Sequence, residues 1–465
     1  MNAVRQPTRV LPRAPGLRRA LEALATRRIT VSGLIEQALD AAEAGKRELH
    51  AFAAIDWDGA LRAAAESERR YAQGRQRPLE GLAIGVKDLI DTEGIETSYG
   101  SAAYLGHVPT VDADVVRALI ERGAIPIGKT TTHEFAWGVT TASAAFGDAL
   151  NPLDRTRIPG GSSGGAAAAI AYGAVAGGLG TDTGGSVRIP AALCGVVGFK
   201  PTFGALSTRG IFPLAPTLDH PGFLGETVDD IAMLANAFRI EVPRNAAHPH
   251  ARLGVIREIA PVPLSDEVAA AFDAAVATLE GVFACTTLDA PGLFDSVFEA
   301  FAHIVLTEGG AEHFRRSDAD RIAADYGRET IERLERAKTM TLGDYARAQQ
   351  SRRDFTARLH RAMSAVDCLV LPTCPCTAPR VSQASIDIGT WSGTVREALM
   401  TYTAPFNVAG FPAISIPLAA RDGLLPAALQ IVAKPGHDAA LLQTAQQMEQ
   451  LLRPVSATHS ILPTL

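Results

Sequence analysis

Pro159-Gly160-Gly161-Ser162-Ser163-Gly164-Gly165 and Gly180-Thr181-Asp182-Thr183-Gly184-Gly185-Ser186-Val187-Arg188-Ile189-Pro190 decide how this chain is read. Each run sets hydroxyl residues among glycines, with almost no bulky side chains in its centre. Glycine lets backbone N–H groups approach a reacting carbonyl, and serine supplies a nucleophile. Two such loops close together are what an acyl-transfer site needs. The segment between them, residues 166–176, is rich in alanine and reads as a tightly packed core helix. The uncharged stretch 158–181 has the length of a membrane span. Its small residues and its polar glycine-serine start argue for a buried helix instead.

Outward from these loops, helix and strand signals alternate. Leu17, Leu21, Leu24 and then Leu34, Ile35, Ala38, Leu39 and Ala42 recur at helical spacing, so 1–75 is an N-terminal helical segment. Leu82-Ala83-Ile84-Gly85-Val86-Lys87 reads as a short buried strand. Residues 112–122 form a helix with an acidic start, and Ile125-Pro126-Ile127-Gly128 a further strand. Residues 80–235 thus make a catalytic core and 262–360 a charged, helical cap region. Residues 365–452 return to strands at Cys368-Leu369-Val370-Leu371 and Ala413-Ile414-Ser415-Ile416, then end in a helix from about 437 to 452. The fold class expected is α/β, a large mixed central β-sheet covered on both faces by helices, in one domain spanning 1–465.

Composition narrows the function class. A net charge of −6 gives no electrostatic footprint for nucleic acid. Cys194, Cys285, Cys368, Cys374 and Cys376 are odd in number and lack paired spacing, which fits a reducing cytoplasm. Cys374-Pro375-Cys376 has no second ligand pair nearby, so no metal is expected. The N-terminus carries Arg5, Arg9, Arg13, Arg18 and Arg19 without the apolar core of a secretory signal, and reads as a basic lead-in to a helix.

Four motifs mislead. Gly123 to Thr130 matches the phosphate-loop pattern, but such a loop must leave a strand and open a helix, and here a helix comes first. Asp182-Thr183-Gly184 has no second copy to share a proton, as an aspartic protease would need. His133-Glu134 is followed by Trp137 where a zinc helix needs histidine. Ser162 and Ser163 both satisfy G-x-S-x-G. A nucleophile elbow at Ser163, in an α/β-hydrolase-type esterase, would need an apolar strand just before it, and 151–157 is polar and proline-broken.

A serine nucleophile needs a base. Lysine serves when burial disfavours its ammonium. Lys87, at the end of an apolar strand, is the candidate. Asp88 and Asp91 must then point elsewhere, because a nearby carboxylate would raise its pKa.

Gly85-Val86-Lys87-Asp88, the two glycine-serine runs, Gly195-Val196-Val197-Gly198-Phe199-Lys200-Pro201-Thr202 and Gly410-Phe411-Pro412-Ala413 together resemble the amidase signature family over residues 17–452. The resemblance implies a Ser–Ser–Lys triad: Ser186 as nucleophile, Ser162 as bridging serine after a cis Gly161–Ser162 bond, and Lys87 as base. These lie 24 and 75 residues apart, the family's usual intervals. It further implies an oxyanion hole from the N–H groups of Thr183, Gly184, Gly185 and Ser186, and a supporting Asp182–Arg188 ion pair. Ser163 bonds within its loop, and Phe135 and Trp137 lie in the region lining the acyl pocket. No cofactor is needed.

The function expected is amidohydrolase action on a small linear carboxylic amide. The partners expected are that small molecule and at most a second copy of the chain as a homodimer, with no nucleic acid and no membrane. The alternative within the family is the glutaminase (A) subunit of a tRNA-dependent amidotransferase. That subunit carries an acid three residues before the threonine of T-x3-N-x-A-G-x-P-A. Here the segment is Thr403 to Ala413 and the position holds Met400, which favours the stand-alone hydrolase.

Overall fold

The structure is a computed structural model describing residues 16–242, 251–288, 291–418 and 424–452. Arg5, Arg9 and Arg13 of the basic lead-in lie outside the described residues. The strands are β1 (Phe52–Ile55), β2 (Ala83–Lys87), β3 (Ile125–Thr130), β4 (Gly177–Asp182), β5 (Val197–Lys200), β6 (His220–Gly225), β7 (Leu253–Val255), β8 (Cys285–Thr287), β9 (Cys368–Pro372), β10 (Ser385–Ile388), β11 (Trp391–Thr394), β12 (Ala413–Pro417) and β13 (Ala428–Ala433). Eleven of them form one sheet in the order β1-β3-β2-β4-β6-β5-β12-β13-β9-β7-β8, and β10 pairs with β11 separately. The sheet is mixed: β2 runs parallel to β3 and β4, while β4 and β6, β5 and β6, and β5 and β12 are antiparallel. Helices flank it, so the architecture is the mixed α/β one expected.

The apolar runs at 83–87, 125–130, 368–372 and 413–417 are strands, as their sequences predict. The centre of the sheet has no such signal. β4 reads Gly-Gly-Leu-Gly-Thr-Asp and β6 His-Pro-Gly-Phe-Leu-Gly, compositions that disfavour strands in isolation. They are strands because the backbones pack too closely there for side chains. A Cβ on Gly178 would stand 2.8 Å from the Gly85 carbonyl oxygen of β2. Gly178→Val is therefore expected to cost about 1–3 kcal/mol or more by overpacking, read as a lower urea midpoint at unchanged m-value.

The helix Gly164–Tyr172 lies against this bare surface. Alanine favours helix, and its short side chains let the helix sink until residues 164–170 are buried. It stops at Gly173, whose φ of 90° is the left-handed C-cap conformation. Its N-terminus abuts the 131 backbone, where a Cβ on Gly165 would meet Thr131 N and O at 2.5 Å. The Ser162-Ser163 turn is thereby set against the ends of β2 and β4.

Residues 262–360 hold the helices Asp266–Glu280, Val297–Arg316, Ala319–Asp325, Arg328–Ala337 and Leu342–Ala362. The same stretch also supplies β8, an edge strand of the sheet that its sequence did not signal. Under the helices from 297 onward lies a second apolar cluster that includes Phe135, Trp137, Phe301 and Met400. It closes over the end of the sheet where Lys87 emerges.

Candidate active site

β2 ends at Lys87 and its parallel neighbour β4 ends at Asp182, so both strands deliver their last residues to the same edge. Lys87 Nζ lies 2.7 Å from Ser162 Oγ and 2.7 Å from Thr181 Oγ1, fully out of solvent. Burial pushes its pKa down to about 7, against the raising influence of Asp182 and Asp219. The near neighbours in sequence do turn away. The Asp88 carboxylate accepts from Ser98 N, Ser98 Oγ and Gly100 N, and that of Asp91 accepts from the Tyr99 hydroxyl.

The Gly161–Ser162 peptide bond is cis. The Ser162 carbonyl accepts from His133 N at 3.3 Å. Ser163 N donates to the Ser186 carbonyl at 3.1 Å, joining the two glycine-serine loops directly. Contrary to expectation, the Ser163 hydroxyl does not bond within its own loop but donates to the Thr181 carbonyl of β4 at 3.2 Å, and is buried. No strand precedes it, so the nucleophile-elbow geometry is absent. The hydroxyl of Ser186 makes no hydrogen bond among the described residues, and the residue retains a sliver of exposure at 7%.

Asp182 and Arg188 are both wholly buried. Arg188 Nε and Nη2 donate to the two Asp182 carboxylate oxygens at 3.0 and 2.8 Å. Burial acts to raise the Asp182 pKa, but the Arg188 charge and its hydrogen bonds win and hold it below the ordinary carboxylate range. Arg188 also donates to the Thr403 carbonyl, Gln430 Oε1 and Asn407 Oδ1 at 3.0, 2.6 and 2.6 Å. The ion pair is thus the hub between the loop bearing Ser186 and the C-terminal part of the chain.

Two further expectations need correction. Gly185 does not offer its N–H to an oxyanion, because that group donates to Asp182 Oδ1 at 2.8 Å. The N–H groups of Thr183, Gly184 and Ser186 have no partner among the described residues. Phe135 and Trp137 do not line a substrate pocket. They are 0% and 1% exposed and pack around His313, with ring centroids 4.6 and 5.6 Å from it. Phe212, its ring centroid 5.0 Å from that of Phe135, lines a small cleft with Leu89, Thr181, Thr183 and Asp219.

Sequence reasoning also missed neighbours of the 183–186 loop. A Cβ on Gly184 would lie 2.4 Å from Met400 Cε and 2.6 Å from Phe301 Cζ. Phe301 comes from a helix more than a hundred residues away, and no spacing marks it. Further out, His133 Nε2 is 3.1 Å from Glu329 Oε2, and Glu329 pairs with Arg333, whose Nη1 is buried without a partner among the described residues.

The family model for amidases matches residues 33–442. The chain belongs to the amidase signature family. Members of this family hydrolyse C–N amide bonds, and this amidase has the fold of that class. It is 35% identical to the A subunit of glutamyl-tRNA(Gln) amidotransferase from Aromatoleum aromaticum, over 93% of the chain and 96% of that protein. A crystal structure of an amidase superposes with a TM-score of 0.86 at 33% identity, covering 94% of this chain and all of that one. The A subunit of the Thermotoga maritima glutamyl-tRNA(Gln) amidotransferase gives 0.71 at 26% identity, covering 91% and 95%. These relatives overturn the expectation of a small amide as sole partner with no nucleic acid. The curated proteins that this amidase resembles are named as one subunit of an amidotransferase for glutamyl-tRNA. Among the described residues no helix is long and apolar enough to cross a membrane.

Proposed function

We propose that this amidase cleaves the C–N bond of a linear carboxylic amide through an acyl-enzyme on Ser186. The observation that carries the proposal is a buried lysine, with its pKa lowered to about 7, in contact with Ser162. Neutral Lys87 accepts the Ser162 proton while Ser162 accepts that of Ser186. Ser186 Oγ bonds to the carbonyl carbon, and the oxyanion forms against the unpaired N–H groups of Thr183, Gly184 and Ser186. Comparable donors are worth roughly 3–4 kcal/mol each. Lys87 then returns its proton through Ser162 to the leaving nitrogen, the C–N bond breaks and the amine departs. Water cleaves the acyl ester by the same relay in reverse.

The relatives support placing this reaction in the ammonia-releasing component of an amidotransferase, with glutamine as the amide donor. One observation favours a second reading. Met400 and Phe301 put thioether and ring against Gly184, so no carboxylate stands there to read a substrate amine. An amide without an amine would then be preferred.

A fluorophosphonate is expected to label Ser186 and to leave Ser186→Ala unlabelled; labelling at Ser163 would sink the proposal. Ammonia release from glutamine and from its des-amino analogue then separates the readings. An amidotransferase component should prefer glutamine and respond to partner subunits and glutamyl-tRNA. The second reading requires preference for the des-amino amide and no response.

A further inference from the structure

Asp182 and His220 face each other as the last paired residues of antiparallel β4 and β6. The next residues outward, Thr183 and Asp219, therefore also face each other, and Thr183 Oγ1 donates to Asp219 Oδ1 at 2.6 Å. Two residues earlier, on the same face of the β4 end, Thr181 Oγ1 lies 2.7 Å from Lys87 Nζ. Lys87 and Asp219 are thus gripped by alternate threonines of one short segment, and Thr181, Thr183 and Asp219 line the same small cleft.

The carboxylates facing Lys87 differ in one respect. Asp182 is neutralised by Arg188 at 2.8 Å. Asp219 forms no ion pair among the described residues, and its remaining donors are neutral: Leu214 N at 2.9 Å and Ala215 N at 3.1 Å. The other acid near it is Glu308, on the helix Val297–Arg316, which accepts from Thr217 N, Thr217 Oγ1 and the Tyr345 hydroxyl. Asp88, Asp91 and Lys129 form a separate group on the far side of β2 and β3, with Lys129 Nζ donating to Thr92 Oγ1.

We infer that Asp219 is a positioning residue of this site, fixing Thr183 at the head of the proposed oxyanion loop and supplying a negative charge, without an ion-pair partner among the described residues, that helps Lys87 to hold its proton. The inference deepens the proposed Ser–Ser–Lys relay and rests on it. Burial alone would carry the lysine below its pKa of about 7, and Asp219 is one of the two groups that hold it up. A lysine depressed much further would be a poor base, because proton transfer works best from a base matched to the working pH. The charge thus has a catalytic consequence separate from the hydrogen bond.

The test is the rate of Ser186 labelling by a fluorophosphonate between pH 5 and 10, which needs no knowledge of the substrate. The wild type should show an acid limb near neutrality. In Asp219→Asn that limb is expected to move down by about one pH unit, since the ammonium loses a nearby opposite charge. Thr183→Val keeps the charge and loses the hydrogen bond; it should label more slowly with the limb unmoved. If Asp219→Asn does not fold by circular dichroism, Asp219→Ser takes its place. An unmoved limb in the folded Asp219 variant, or an equal shift in Thr183→Val, overturns the inference while leaving the relay intact. Absence of labelling at Ser186, or of any acid limb, in the wild type overturns the relay itself.

Discussion

Lys87→Met is expected to cut kcat by roughly 10⁴-fold or more, as removal of a member of a catalytic unit does elsewhere, and yet to gain on the wild type in stability as pH falls. The loss of rate follows if no other base reaches Ser162, whose hydroxyl lies 2.7 Å from Lys87 Nζ. The stability effect follows from linkage. Lys87 titrates near 7 in the folded protein and at its ordinary 10.5 when unfolded. Below pH 7 both states carry the charge, and the folded one bears the full penalty of burying it. Between 7 and 10.5 the unfolded state binds more protons, so wild-type stability attributable to this group rises with pH, by up to about 1.4 kcal/mol per unit. Above 10.5 no penalty remains. Methionine has no such dependence, so urea melts of the two proteins should diverge in the variant's favour from pH 9 to pH 6. The freed Ser162 and Thr181 hydroxyls shift the whole comparison against the variant by about 1–3 kcal/mol without changing its slope. A difference that stays flat with pH would mean that Lys87 is not buried as a near-neutral amine.

Arg188→Met carries the second large effect, a loss of about 3–5 kcal/mol, because it breaks a buried ion pair by removing one partner. Asp182 is left wholly buried beside Gly185 N and Val187 N with its principal counter-charge gone. The Thr403 carbonyl, Gln430 Oε1 and Asn407 Oδ1 lose their donors at the same time. Arg188→Lys should not rescue the variant. A single ammonium cannot reproduce the fork that meets Asp182, Thr403, Gln430 and Asn407 together. Chemical denaturation with circular dichroism reads the effect; a midpoint within about 1 kcal/mol of wild type, the usual worth of an exposed pair, would show that this network does not hold the loop.

The catalytic candidates were legible because their chemistry demands particular residue types. An apolar strand ending in lysine, and hydroxyls among glycines, announce themselves locally, and Lys87 does meet Ser162. The sheet was legible only where strands carry branched apolar residues, as at 125–130 and 413–417. β4 and β6 were not, since their glycines answer to neighbouring backbones and not to strand propensity. The correction at Gly185 has the same root: its N–H is taken by Asp182, a three-residue contact that composition does not reveal. Phe135 and Trp137 are aromatic in the right region yet face His313, because proximity in sequence to a site does not fix side-chain direction. Phe301 and Asp219 reach the 183–186 loop through helix packing and strand register. Neither leaves a periodic trace.

The hub at Arg188 has a consequence for biosynthesis. Its partners Thr403, Asn407 and Gln430 follow it by 215, 219 and 242 positions. A ribosome that has already made all three residues of the proposed relay still holds a nascent chain without the C-terminal groups that anchor the loop bearing Ser186. Ordering of that loop must therefore await synthesis of residues 403–430, and chains truncated before them should remain inert although they contain Lys87, Ser162 and Ser186.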